Sequence, residues 1–88
     1  MEIIFLDKFE KDIDKIKSKS VKSSIIKIIE HVEKANSISE IKNLKKLKGF
    51  SSAYRIRMGD FRIGVFIEDN KLEFARIIHR KDIYKMFP

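Results

Sequence analysis

The 88-residue chain has no cysteine, which excludes disulfides, thiolate metal sites and a thiolate nucleophile. No apolar run approaches the ~20 residues that a membrane-spanning helix requires. The opening Met1-Glu2-Ile3-Ile4-Phe5 lacks the basic segment and small-residue cleavage site of a secretion signal. Both absences lead us to expect a cytoplasmic protein. No glycine-rich phosphate loop precedes a helix, and Ser51-Ser52 stand in no context that suggests a catalytic triad. With two histidines and no paired-carboxylate signature, neither a metal centre nor a cofactor is expected. Repeats, low-complexity tracts and long linkers are missing too, so residues 1–88 are expected to form one domain around one small core.

Arginine is absent from the first half and concentrated in the second. Residues 1–44 carry nine lysines against eight acidic residues, a near balance. Residues 45–88 carry eleven basic residues against five acidic ones, and Arg55, Arg57, Arg62, Arg76 and Arg80 all lie there. Most of the net charge of +7 therefore belongs to the second half. A planar guanidinium suits phosphate better than an ammonium does, so clustered arginines point toward a polyanion.

The stretch A-Y-R-I-R-M-G-D-F-R-I-G (residues 53–64) is where that cluster takes shape. Apolar and basic residues alternate on either side of Gly59-Asp60, as in two strands joined by a tight turn. A two-residue loop sets Met58 opposite Phe61, Arg57 opposite Arg62, Ile56 opposite Ile63 and Arg55 opposite Gly64. One face is then apolar: Tyr54, Ile56, Met58, Phe61, Ile63 and Val65. The other carries Arg55, Arg57 and Arg62 around a bare Gly64. Opposed like charges weaken a sheet, so an anion is expected across them.

The rest of the chain supplies the support. A short strand is expected over residues 2–6, with Asp7 capping a helix whose apolar positions are Leu6, Phe9, Ile13 and Ile16. Ser20 is expected to cap a second helix with Val21, Ile25, Ile28, Ile29 and Val32 on its buried stripe. His31 on that helix reads as a surface residue. Lys45, Lys46 and Lys48 lie in a basic segment with two apolar anchors, either a solvated loop or an approach to a polyanion backbone. A turn at Asp69-Asn70 leads to a strand over residues 71–78, which places Leu72 and Phe74 in the core. The same phase puts Arg76 there, so either that end is exposed or the register slips. A short helical turn closes the chain. The class is α+β: an N-terminal strand, a two-helix hairpin and a three-stranded antiparallel meander forming one sheet with helices on one face. The arginines would point to the partly open face.

These residues suit phosphate chemistry. Cleavage of RNA uses the substrate's own 2′-hydroxyl as nucleophile, and a protein contributes by stabilising charge on the phosphate oxygens and moving protons. Arginine is a poor base because its pKa exceeds ~12. His79 and Tyr84 are the candidates for proton transfer, and the arginines bind and polarise.

Three stretches carry a family resemblance: L-K-K-L-K-G-F (residues 44–50), Y-R-I-R-M-G-D-F-R-I-G (residues 54–64) and H-R-K-D-I-Y-K-M-F-P (residues 79–88). Together they resemble the RelE/ParE superfamily of toxin–antitoxin toxins, and more closely its RelE-like branch. That resemblance implies a toxin that cleaves mRNA in the ribosomal A site by metal-independent 2′-hydroxyl attack. It also implies a RelB-like cognate antitoxin that wraps the toxin and blocks the basic face. By motif, Arg55 and Arg57 match the basic positions of the first hairpin strand, and Arg62 the phosphate-stabilising arginine. Arg80 and Tyr84 match the arginine after the last strand and the tyrosine near the C-terminus. Arg57 stands where some members carry a lysine proposed as general base, which turns attention to His79. ParE-type members share the fold, poison DNA gyrase and lack the nuclease constellation. A third possibility is a degenerate toxin that only binds its antitoxin.

Overall fold

The computed structural model describes all 88 residues. Strand β1 (Glu2–Phe5) leads into helices α1 (Asp7–Lys15) and α2 (Lys19–Lys34), and a single 3-10 turn (Ile38–Glu40) follows. Strands β2 (Leu44–Lys46), β3 (Ala53–Met58), β4 (Phe61–Glu68) and β5 (Lys71–His79) come next, and a one-turn helix α3 (Ile83–Met86) ends the chain. The sheet order is β1-β5-β4-β3-β2, with β1 parallel to β5 and every other pair antiparallel.

The sheet has one strand more than expected. The first part of the basic segment is not a solvated loop but edge strand β2, because Leu44 lies opposite Ile56 and packs on the core. Both helix starts also sit slightly off the expected caps. Asp7 is the first helical residue of α1, behind an uncapped Leu6, and places its charge in the first turn, where the helix dipole favours an anion. In α2 the capping hydroxyl is that of Ser18, which accepts from the Val21 N–H, while Ser20 is already helical.

The hairpin follows the alternation residue for residue: Met58 opposite Phe61, Arg57 opposite Arg62, Ile56 opposite Ile63 and Arg55 opposite Gly64. Gly59 has φ +56° at the first turn position, a conformation glycine adopts without steric cost. Asp69 and Asn70 both take positive φ in the β4–β5 turn, as the type I′ form of a two-residue hairpin connection requires.

The awkward phase at Arg76 is resolved by a slipped register. Val65 pairs with Phe74 but Gly64 pairs with Arg76, so Ala75 is an extra residue in a β-bulge. Below the bulge, β5 is flanked by β1 up to Phe74. Above it, β1 has ended and α1 lies alongside instead. The Asp12 carboxylate accepts from the Ile77 N–H at 3.0 Å and from the Arg76 guanidinium at 2.8 and 3.1 Å. One side chain thereby satisfies both an edge amide and a half-buried cation. The Arg76 pKa is raised, chiefly by the Asp12 hydrogen bond and against the cost of burial.

Two apolar clusters sit on opposite sides of the sheet. The larger joins Phe9, Ile25 and Val32 of the helices to Ile56, Ile63, Val65, Leu72, Phe74 and Ile77. Phe9 and Phe74 are neighbours within it, and the exposed Phe5 stacks on Phe74 at 5.3 Å between ring centroids. The smaller gathers Leu47, Ala53, Ala75, Ile78, Ile83 and Phe87 on the arginine side. The face is partly open as expected, with the C-terminal segment covering its centre. A Cβ placed on Gly64 would lie 2.7 Å from the Phe87 ring. Gly64 is bare because an aromatic ring lies against it.

Candidate nucleic-acid interface

Strand geometry sends Arg55, Arg57 and Arg62 to one side of the sheet, the side opposite Ile56, Ile63 and Met58. Arg80 joins them through its backbone: its N–H donates to the Asp60 carbonyl at 2.8 Å, clipping the chain after β5 onto the β3–β4 turn. The Arg80 and Asp60 side chains are exposed and 3.9 Å apart, a loose pair of little energetic weight. Arg62 bends back over the same turn, with Nη1 donating to the carbonyls of Gly59 at 2.8 Å and Phe61 at 2.9 Å. Partial burial lowers the Arg62 pKa most, followed by the repulsion of Arg55, Arg57 and Arg80, while Tyr84 acts in the opposite sense. Arg62 is therefore the centre of the cluster, and the other four side chains are near enough to alter its hold on a proton.

Tyr84 stands on α3 with 68% of its surface exposed. Its helix turn is held to the sheet by Ile83 and Phe87, both buried in the smaller core. Beside it lies a hollow of about 330 Å³ lined by Leu47, Lys48, Phe50, Tyr84, Phe87 and Pro88. Lys48, in the turn after β2, thus borders Tyr84. Lys45 lies opposite Arg55 and shares its face. Lys46 does not, because it pairs with Tyr54 and shares the helix-side face.

His79 is also on the other face. It pairs with Phe61, which packs on the helix-side core, and the two rings meet edge to face at 5.9 Å. The phase set by the bulge turns Ile77 toward the helices, and His79, two residues on, follows it. Its Nδ1 accepts from the Lys81 N–H at 3.2 Å. The imidazole borders a different hollow, of about 450 Å³, together with Asp12, Ile16, Val21 and Phe61. The structure thus separates His79 from the arginines by the thickness of the sheet. No three His, Asp or Glu side chains converge as a metal site would require.

Two residues around the interface escaped the sequence reading. Phe87 was signalled only by the glycine in mid-strand at position 64, a mark of close approach. Asn43 had no signal beyond its side chain's tolerance of left-handed backbone, φ +64° here. Its carbonyl accepts from Arg55 Nη1 at 3.0 Å and from the Arg57 N–H at 3.2 Å.

A five-stranded sheet with two helices on one side and clustered arginines on the other defines a small basic α+β protein with one cationic sheet face. Residues 3–84 match the family described as ParE toxin of type II toxin-antitoxin system, parDE. The chain belongs to this family, within the RelE/ParE superfamily of type II toxins. Among particular relatives, Toxin RelE3 of Methanocaldococcus jannaschii is 37% identical over 89 residues that take in 100% of both chains. The toxin fold in the RelB–RelE antitoxin–toxin complex from Methanococcus jannaschii superposes with a TM-score of 0.79 at 36% identity, covering 97% of this chain and 99% of that one. The same fold recurs at 17% identity in the archaeal RelE–RelB complex from Pyrococcus horikoshii, with a TM-score of 0.72 and coverage of 93% and 97%. No helix is long and apolar enough to cross a membrane.

Proposed function

We propose that this toxin is an endoribonuclease that cleaves mRNA in the ribosomal A site, with no metal ion taking part. The observation that carries the reading is the gathering of Arg55, Arg57 and Arg62 on the strand face away from the helices, with Arg80 clipped to the adjoining turn and Tyr84 on the helical turn that packs over that face. In this reading the substrate's 2′-hydroxyl attacks the adjacent phosphorus, the P–O5′ bond breaks, and a 2′,3′-cyclic phosphate and a 5′-hydroxyl end result. Charge grows on the non-bridging oxygens as the fifth bond forms. Arg62 meets it, with Arg57 and Arg80 on either side. Arg55, Lys45 and Lys48 hold flanking phosphates. Tyr84 is the proton-handling side chain placed among the arginines, and it serves at the attacking or the leaving oxygen. His79, facing the helices, has no part in the step.

A cytoplasmic site of action follows from that substrate. The partner we assign is a RelB-like antitoxin, on the support of relatives solved as RelB–RelE complexes. Gyrase poisoning is the competing reading, favoured by the name of the matched family; a toxin that only binds its antitoxin is the third. Induction of the chain followed by mapping of mRNA 5′ ends on ribosomes tests the assignment. New ends inside A-site codons are expected, whereas growth arrest with intact messages would overturn it. Accumulation of cleaved DNA with purified gyrase would instead establish the competing reading.

A further inference from the structure

We propose that His31 and Asn43 are positioning residues for Arg55, acting on the RNA face from behind the sheet edge. This rests on the reading of the arginine face as an RNA site. His31 lies in the last turn of α2, and its Nε2 accepts from the Lys42 N–H at 3.1 Å. That bond ties helix α2 to the segment that enters β2. The next residue, Asn43, takes φ +64°, and this left-handed step aims its carbonyl at β3. There the one oxygen accepts from the backbone N–H of Arg57 and from Nη1 of Arg55.

Two further observations give the arrangement its meaning. The Arg55 side chain makes no other hydrogen bond, and its Nε is buried without a partner. A guanidinium anchored at one corner, with its Nε buried, has its plane set and keeps the donors at its outer end for a phosphate. Beside the His31–Lys42 bond is a hollow of about 270 Å³ lined by Lys27, Ile28, His31, Ile41, Asn43 and Ile56. The hollow leaves the Lys42-Asn43 backbone room to shift once the imidazole is gone, between Ile41 and Leu44, which are packed on the core.

The group that holds Arg55 is a backbone carbonyl, so what matters at position 43 is conformation. Asn and Gly accept left-handed φ, and a β-branched residue does not. The experiment measures binding of a short 2′-O-methyl oligoribonucleotide to the purified toxin by fluorescence anisotropy. Because this probe cannot be cleaved, it reads the geometry of Arg55 whether or not the protein is a nuclease. Asn43→Val and His31→Ala are each expected to weaken binding about tenfold, the scale of one charge-assisted hydrogen bond. Asn43→Gly, and His31→Gln, which restores an acceptor, are expected to stay within roughly twofold of wild type by the same scale. In an Arg55→Ala background all four substitutions are expected to have no further effect, because residues that act through one group are not additive. Losses that persist without Arg55 would overturn the proposal, as would unchanged binding by His31→Ala. Should Asn43→Val fail to fold, the His31 pair carries the same comparison.

Discussion

The contact between Gly64 and Phe87 invites a test in which one substitution changes sign with its background. A Cβ at position 64 would stand 2.7–2.8 Å from three atoms of the Phe87 ring. Carbon atoms rest at ~3.5–4.0 Å, so the ring must retreat by roughly 1 Å. It has little freedom to do so, being 4% exposed and packed against Phe66 at 5.1 Å between centroids and against Ala53, Ala75, Ile78 and Ile83. Gly64→Ala should therefore cost about 1–3 kcal/mol, the usual range for overpacking. For a domain of this size each kcal/mol lowers the melting temperature by about 4–8 °C. Phe87→Ala alone should cost about 3–5 kcal/mol as a buried aromatic is removed. With the ring gone, Gly64→Ala meets no obstacle and should stabilise by about 0.5–1 kcal/mol, since alanine loses less entropy in a strand than glycine does. Urea titrations of wild type, both single variants and the double variant, followed by circular dichroism, give all four free energies. Equal costs of Gly64→Ala in the two backgrounds would refute the reasoning.

Other expectations concern the interface and its supports. Arg62→Ala should lower cleavage of ribosome-bound mRNA at least ~100-fold, the scale of one transition-state donor, while melting stays near wild type; near-normal cleavage would remove Arg62 from the chemistry. His79→Ala should leave cleavage within about threefold, because a proton-transfer residue would be worth ~100-fold or more and this ring faces the helices. Asp12→Ala strands Arg76 and the Ile77 amide, and should cost about 3–5 kcal/mol in urea unfolding, as loss of one partner of a buried ion pair does. For a single-stranded oligonucleotide held by Arg55, Arg57, Arg62, Arg80, Lys45 and Lys48, the slope of log affinity against log salt should be about −4.2. Each Arg→Ala change at 55, 57, 62 or 80 should flatten it by about 0.7; an unchanged slope would show that residue to be off the phosphates.

The β3–β4 hairpin was legible to the residue because a two-residue turn and a period of two leave only one pairing. The conflict at Arg76 was equally visible, since alternation failed there. Its resolution was not, because the partner carboxylate lies on α1, 64 positions away in sequence, and local pattern carries no information about it. The misplaced His79 is a consequence of the same bulge, as every side chain beyond Ala75 takes its direction from that extra residue. Strand β2 was hidden for a different reason. Three residues cannot establish a period, and two of them are lysines that read as solvent-facing. Pairing with Arg55 and Tyr54 makes them a strand. Among the interface residues, those on β3 and β4 could be placed from their spacing, whereas Arg80 and Tyr84 depended on how the tail folds over the sheet.

The Asp12 carboxylate has one more consequence, for how the molecule behaves in a crowd of its own kind. A sheet edge with free amides is a template on which a second chain can add a strand. The upper half of β5 would offer such an edge where β1 stops, but its Ile77 amide already donates to Asp12, with α1 alongside. Growth of the sheet is blocked there much as a capping residue ends a helix. Substitutions at Asp12 would thus be expected to make the protein sticky as well as unstable, through self-association at an edge that the folded monomer keeps closed.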